Sequence, residues 1–272
     1  MDTGTDRTDE PGPGPSPRTA TPGAGVTTAA VATPRLTPHG GRPVSAAARN
    51  NAEWCDALCR THGVRGVFSP AAWTCAERTP PYYPDAVTLA PGADAAALLA
   101  AVDTAAPGCT VKDSFADLDL TGHGFDVLFD AEWIHRPATL PAPPAPEGVR
   151  WERVRTAEGL EEWERAWDGG VRGLFLPALL ADRHTAVLAA RRGGQWVAGA
   201  VVSASATATG VSNLFTVGEY SPDAAWDGCL AAIAARRPGL PVAGYESGDD
   251  LNTALRHGFE PAGPLRVWLR EG

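Results

Sequence analysis

Residues 246–270 read ESGDDLNTALRHGFEPAGPLRVWLR, and residues 112–136 read KDSFADLDLTGHGFDVLFDAEWIHR. The two stretches share His-Gly-Phe, at 257–259 and 123–125, and each triplet is followed at the same distance by an arginine, Arg270 or Arg136. A second echo lies upstream, where GVRGVFSPA (63–71) matches GVRGLFLPA (170–178). A chain that repeats itself at this period is read as two lobes of one fold, with a cleft within or between them. The first pair is offset by 107 residues and the second by 134, so the C-terminal copy carries about 27 extra residues between its anchors. That is roughly one β-hairpin at ordinary strand lengths. It falls in HTAVLAARRGGQWVAGAVVSASATATGVSNLFTV (184–217), whose Arg-Gly-Gly at 192–194 reads as a turn.

Around these anchors the chain divides by composition. Residues 1–45 are rich in Pro, Gly, Thr and Ala with few large apolar side chains, so they bury too little to offset their ordering entropy and read as a disordered tail. A first lobe follows over 46–136, a proline-rich linker, PATLPAPPAPEG, over 137–148, and a second lobe over 149–272. In the first lobe, 46–62 reads as a helix with Trp54 and Leu58 on one face, 81–90 holds a short strand, and 92–108 reads as a helix capped by Asp94. A strand at CTVKDSF and another over 125–134 complete it. In the second lobe, 149–156 is a strand and 158–170 a helix with Leu160, Trp163 and Trp167 on one face. A helix over 221–239 follows the hairpin strands, with Ser221 as cap, Pro222 in its first turn and Asp223 favouring the dipole. PVAGYES, a helix from Asp249 to Arg256, and PLRVWLR end the chain. The expected class is α/β of the α+β kind, a mixed, mostly antiparallel sheet flanked by helices.

Composition narrows the partners. The net charge is −9, and Lys112 is the single lysine. Without a basic run, neither nucleic acid nor an anionic membrane is expected as a partner. No stretch of about 18 apolar residues suggests a transmembrane helix, and the N-terminus has no signal-peptide core. Five cysteines at irregular spacing fit reduced thiols and a cytoplasmic location. Cys55, Cys59, His62 and Cys75 have no clean second ligand pair, so no metal site is expected. PPYYP (80–84) lines a pocket or packs a lobe interface.

The order β–α–β–β–β–α–β–α–β over 150–272, ending in a short helix and Gly258-Phe259 leading through Gly263 into a last strand, resembles the GNAT acyltransferase superfamily. The first lobe resembles the same fold with its central hairpin missing, so the resemblance implies a tandem arrangement with a degenerate N-terminal lobe. It implies an acyltransferase moving an acyl group, acetyl from acetyl-CoA or another acyl-CoA, to an amine of a small molecule. The loop that holds the coenzyme A pyrophosphate would be FTVGEYSPDAAWDG (215–228). There Phe215, Thr216, Val217, Ser221 and Ala224 are the cofactor-binding candidates, with backbone N–H groups near Phe215–Val217 polarising the carbonyl. This loop departs from the family pattern: Ser221 stands where Arg or Gln is usual, Pro222 has no N–H, Asp223 adds negative charge and Trp226 adds bulk. The usual tyrosine of the last helix is Ala254. For the general base, Glu246 at the end of a strand is first choice, with Glu219, Asp249 and Asp250 behind it. Alternatives are a catalytically inactive binding protein for a metabolite or protein partner, or an aminoacyl-tRNA-dependent transferase using an arginine patch (Arg153, Arg155, Arg165, Arg172). A homodimer is compatible with either.

Overall fold

The computed structural model describes residues 41–271; the expected tail lies outside the described residues as far as residue 40. Residues 41–45 already belong to the first helix, α1 (Gly41–Thr61). Strands β1 (Val67–Phe68), β2 (Ala72–Thr74) and β3 (Ala86–Thr88) follow, then α2 (Ala95–Leu99), β4 (Cys109–Asp113) and β5 (Asp126–Arg136). The second half runs β6 (Val149–Arg153), α3 (Ala157–Trp167), a 3-10 turn at Pro177–Ala181, β7 (Thr185–Arg192), β8 (Gln195–Ala204) and β9 (Thr209–Thr216). It closes with α4 (Pro222–Arg236), β10 (Val242–Glu246), α5 (Gly248–Arg256) and β11 (Glu260–Arg270).

Helix starts follow their capping chemistry. Asp94 accepts from the N–H of Ala96 and Ala97, Thr156 from Gly159, and Ser221 from Ala224. The α2 helix is much shorter than the 92–108 segment suggests. Beyond it, Arg78 takes the carbonyls of Asp103 and Ala106, at 2.8 Å each, and draws that stretch into a loop.

All eleven strands of the described residues form one sheet, in the order β1-β2-β3-β4-β11-β5-β10-β9-β8-β7-β6. Its parallel contacts are β3 with β4 and β9 with β10; the remaining pairs are antiparallel. The halves exchange their last strands. β5 lies against β10 of the second half, and β11 lies against β4 of the first. The registers repeat: Arg136 faces Val242 as Arg270 faces Cys109. By that register Glu246 is equivalent to Asp113, and Tyr245 to Lys112, one residue away from the match the sequence suggests.

The meander β1-β2-β3 corresponds to β7-β8-β9. The first half therefore keeps its hairpin in shrunken form, with strands of 2 and 3 residues in place of 8 and 10. What it lacks is a counterpart of β6. The upstream echo is not structural: Val67 and Phe68 form β1, whereas Leu174 and Phe175 precede the 3-10 turn and lend their N–H groups to the buried carboxylate of Glu164.

α1 packs across the face shared by both halves. Val44, Ala47 and Ala48 join Trp133, Ala243 and Leu265 in one buried cluster, and Trp54 and Leu58 join Trp73 and Trp163 in another. α4 and α5 cover the opposite face through Trp226, Cys229, Ile233 and Ala254, with Phe259 after α5 joining them.

Candidate active site

Parallel strands β9 and β10 pair only at Thr209–Val242 and Gly210–Ala243. Beyond that point β9 stays with β8 and β10 stays with β5, which opens a fork. The arm formed by β9 is kinked where the register with β8 shifts between Gly199 and Val201. Asn213 there adopts a left-handed φ of 52°, a conformation asparagine tolerates better than most residues. Such a bulge re-aims backbone groups at a strand edge.

The closed end of the fork is sealed by α1. Asn50 donates to the carbonyls of Ser203 and Ala208, both at 3.4 Å, and accepts from the Ser203 hydroxyl at 3.0 Å. Its Oδ1 lies 1.8 Å from where a Cβ on Gly210 would stand, so only glycine fits that position.

Glu246 ends the other arm. It sits half-buried directly across from Glu132 on β5. Burial, with Asp250 adding to it, pushes the Glu246 carboxyl up to about 8. Burial also raises Glu132. Of the other base candidates, Glu219 is exposed in the turn after β9, and Asp249 and Asp250 are exposed in the first turn of α5, whose cap is Ser247.

On the α1 face of β10, Tyr245 packs edge-on against Trp133, 5.6 Å between centroids. The Lys112 ammonium lies 4.4 Å from the Tyr245 ring centre and donates to Asn51 Oδ1 at 2.8 Å. Lys112 is only 5% exposed. The Tyr83 hydroxyl is buried without a hydrogen-bond partner among the described residues, and burial pushes the Cys55 thiol up to about 11. Sequence reasoning missed this polar cluster between the halves. Its traces were a lone lysine and two adjacent asparagines, poor helix formers, inside a helix.

The cofactor-binding candidates serve the protein itself. Phe215 packs on Trp163 at 5.2 Å, within a cluster that includes Trp167 and Phe175. Thr216 pairs with Ala198, and the Val217 N–H donates to the Val197 carbonyl. The bulge that exposes backbone thus lies a few residues earlier, around Asn213. Ser221 caps α4, and the Ala224 N–H is its partner. Asp223 receives Arg256 at 2.9 Å and His257 Nε2 at 2.9 Å, while His257 Nδ1 meets Asp227, also at 2.9 Å. Those hydrogen bonds hold the Asp223 carboxyl below its usual range. A helix start that carries a proline, a satisfied cap and a carboxylate does not fit a diphosphate.

Of the arginine patch, Arg155, Arg165 and Arg172 are exposed. Arg153 gives its guanidinium to the carbonyls of Leu180, Asp182 and Thr185. Cys55 and Cys59 lie in the core and His62 bonds to the Leu174 carbonyl, and no group of three or more metal-binding side chains gathers among the described residues. A cleft of about 590 Å³ lies between α1 and the closed end of the fork. Among its lining ions, Arg49 pairs with Glu53, and Arg60 with Asp56 and Asp182.

The fold has counterparts among solved structures. A GCN5-related N-acetyltransferase from Kribbella flavida superimposes with a TM-score of 0.57 at 18% identity, covering 83% of this chain and 96% of that one. The chain has a GNAT-like fold. A GNAT-family chain from Novosphingobium aromaticivorans gives a TM-score of 0.52 at 18% identity, covering 82% and 97%. No protein-family model and no curated protein matches the sequence. No helix among the described residues is long and apolar enough to cross a membrane.

Proposed function

We propose that this chain is a GNAT-type N-acyltransferase, working at the fork between β9 and β10 with Glu246 as general base. The observation that carries the reading is the half-buried carboxyl at the end of β10, pushed up to about 8. A base of that strength takes the proton of an acceptor ammonium near neutral pH, where an ordinary carboxylate is too weak. The GNAT-like fold of the two solved structures supports the reaction class.

Because the start of α4 does not fit a diphosphate, recognition of an acyl thioester falls to the rest of the fork. Calorimetry with acetyl-CoA and with S-acetyl-pantetheine, which lacks the diphosphate, tests this. We expect comparable affinities for the two, with acyl transfer to amines detected by mass spectrometry. No binding of either at millimolar concentration, with no transfer, would sink the proposal.

A second reading is a non-catalytic binding protein for a metabolite. The satisfied start of α4 and Ala254 in place of the family's tyrosine favour it. A co-purified ligand held at the fork without thioester turnover would select it. Five free, buried cysteines support a reducing compartment, and we place the protein in the cytoplasm.

A further inference from the structure

β5 outruns its neighbour. β10 ends at the Glu246–Glu132 pair, but β5 continues through Asp126–Ala131 with β11 on one side and no strand on the other among the described residues. This is an open sheet edge in the middle of the molecule. Val127, Leu128 and Phe129 on it are 44%, 45% and 37% exposed. Open apolar edges attract another strand, and proteins usually cover or blunt them. Gly248, at a φ of 54°, turns the chain out of this lane into α5.

The surroundings are acidic. Asp126, Asp130 and Glu132 lie on β5, Glu246 ends β10 with Asp250 of α5 beside it, and Arg266 is taken up by Asp130 at 2.7 Å. A strand laid there antiparallel to β5 continues in the direction of β10. Its amino terminus therefore abuts Glu246.

We infer that the open edge of β5 is the docking site for the extended amino-terminal segment of a basic peptide, and that this peptide's α-amino group is the acceptor brought to Glu246. Backbone hydrogen bonds to β5 would supply strand addition, and cationic side chains would meet the flanking carboxylates. The inference rests on the proposed acyltransferase and names its acceptor class, but binding can be measured without any acyl donor.

The probe is a heptapeptide alternating valine and arginine, with a free amino terminus and a carboxy-terminal fluorophore, beside its N-acetylated twin. Fluorescence anisotropy at low salt should show the free-amine peptide binding at least tenfold more tightly than the acetylated one. Leu128→Lys and, separately, Val127→Lys should weaken binding at least tenfold with an unchanged Tm, because these are the more exposed side chains of the edge. Absence of binding, or binding indifferent to both substitutions, would overturn the inference. So would sedimentation showing that a second copy of the chain covers this edge and that Leu128→Lys releases monomers. Transfer to small amines without peptide binding would sink this inference and leave the proposed function standing; peptide binding without any transfer would overturn both the acceptor role inferred here and the proposed function.

Discussion

Arg136 Nε donates to the carbonyl oxygen of His257 at 2.9 Å, joining the last strand of the first half to the His-Gly-Phe of the second. Its other nitrogens reach the carbonyls of Leu140 and Pro141. Arg270 answers in the other direction, bonding to the Thr104 carbonyl and lying 3.6 Å from where a Cβ on Gly124 would stand. The arginine at a fixed distance after each His-Gly-Phe is thus the clasp of an exchanged strand. A guanidinium spent on three carbonyls, 9% exposed, is costly to remove. Arg136→Met should cost about 1.5 kcal/mol, the low end of the range for hydrogen bonds made by a charged group, because Leu140 and Pro141 are exposed and their carbonyls can turn to water. Urea unfolding would measure it, and a loss below about 0.5 kcal/mol would mean the clasp is incidental.

Glu246 should leave a pH signature in both rate and stability. An unfolded glutamate titrates near ~4.3, and in the fold Glu246 titrates at about 8. Between those values the native state binds the extra proton, so native stability falls as pH rises through that window. Glu246→Gln removes this titration. Its Tm should draw level with or exceed wild type as pH climbs from about 4 to about 8, with no further gain above. Acyl transfer in the parent protein should rise through pH 8, while the variant should be roughly 100-fold slower with that rise gone.

Lys112, the chain's single lysine, is reachable only by unfolding. Its ammonium rests on the Tyr245 ring and on Asn51, and a desolvated cation–π contact contributes about 2 kcal/mol. Reductive methylation of the native protein should leave the Lys112 peptide unmodified by mass spectrometry, with full labelling in denaturant. Tyr245→Leu should increase native-state labelling, because the amine loses one of its two partners. Rapid labelling of the parent protein would contradict the buried placement.

Gly210 tests the seal at the closed end of the fork. A Cβ there would stand 1.8 Å from Asn50 Oδ1 and 2.7 Å from Ser203 Oγ. Gly210→Ala should destabilise by roughly 1–3 kcal/mol through overpacking. Pairing it with Asn50→Ala should recover part of that loss. Thermal unfolding of the single and double variants would show this coupling, and strict additivity would count against it.

Much of the fold was legible because its signals are local. Asp94, Thr156 and Ser221 cap helices through groups two or three residues away, and the amphipathic spacing of Leu160 and Trp163 identifies the buried face of α3. Glu246 stood out for its place at the end of a strand. Its neighbour Glu132 did not, because their pairing spans the two halves. The expected hairpin deletion and the upstream echo came from letters alone. Pairing register shows the hairpin shrunken, and backbone hydrogen bonds show the echo to be a strand in one half and a loop in the other.

The sequence by itself determined that two similar halves exist, which residues cap α2, α3 and α4, and that the start of α4 carries Pro222 and Asp223 where a phosphate would want free N–H groups. Capping, charge and composition act over a few residues and are written in order along the chain. Only the tertiary structure decided which half each last strand joins, that Lys112 and Tyr245 meet, and that β5 runs past the end of β10 to leave an open edge beside Glu246. Those relationships depend on strand order and register across the whole sheet, and no local spacing encodes them.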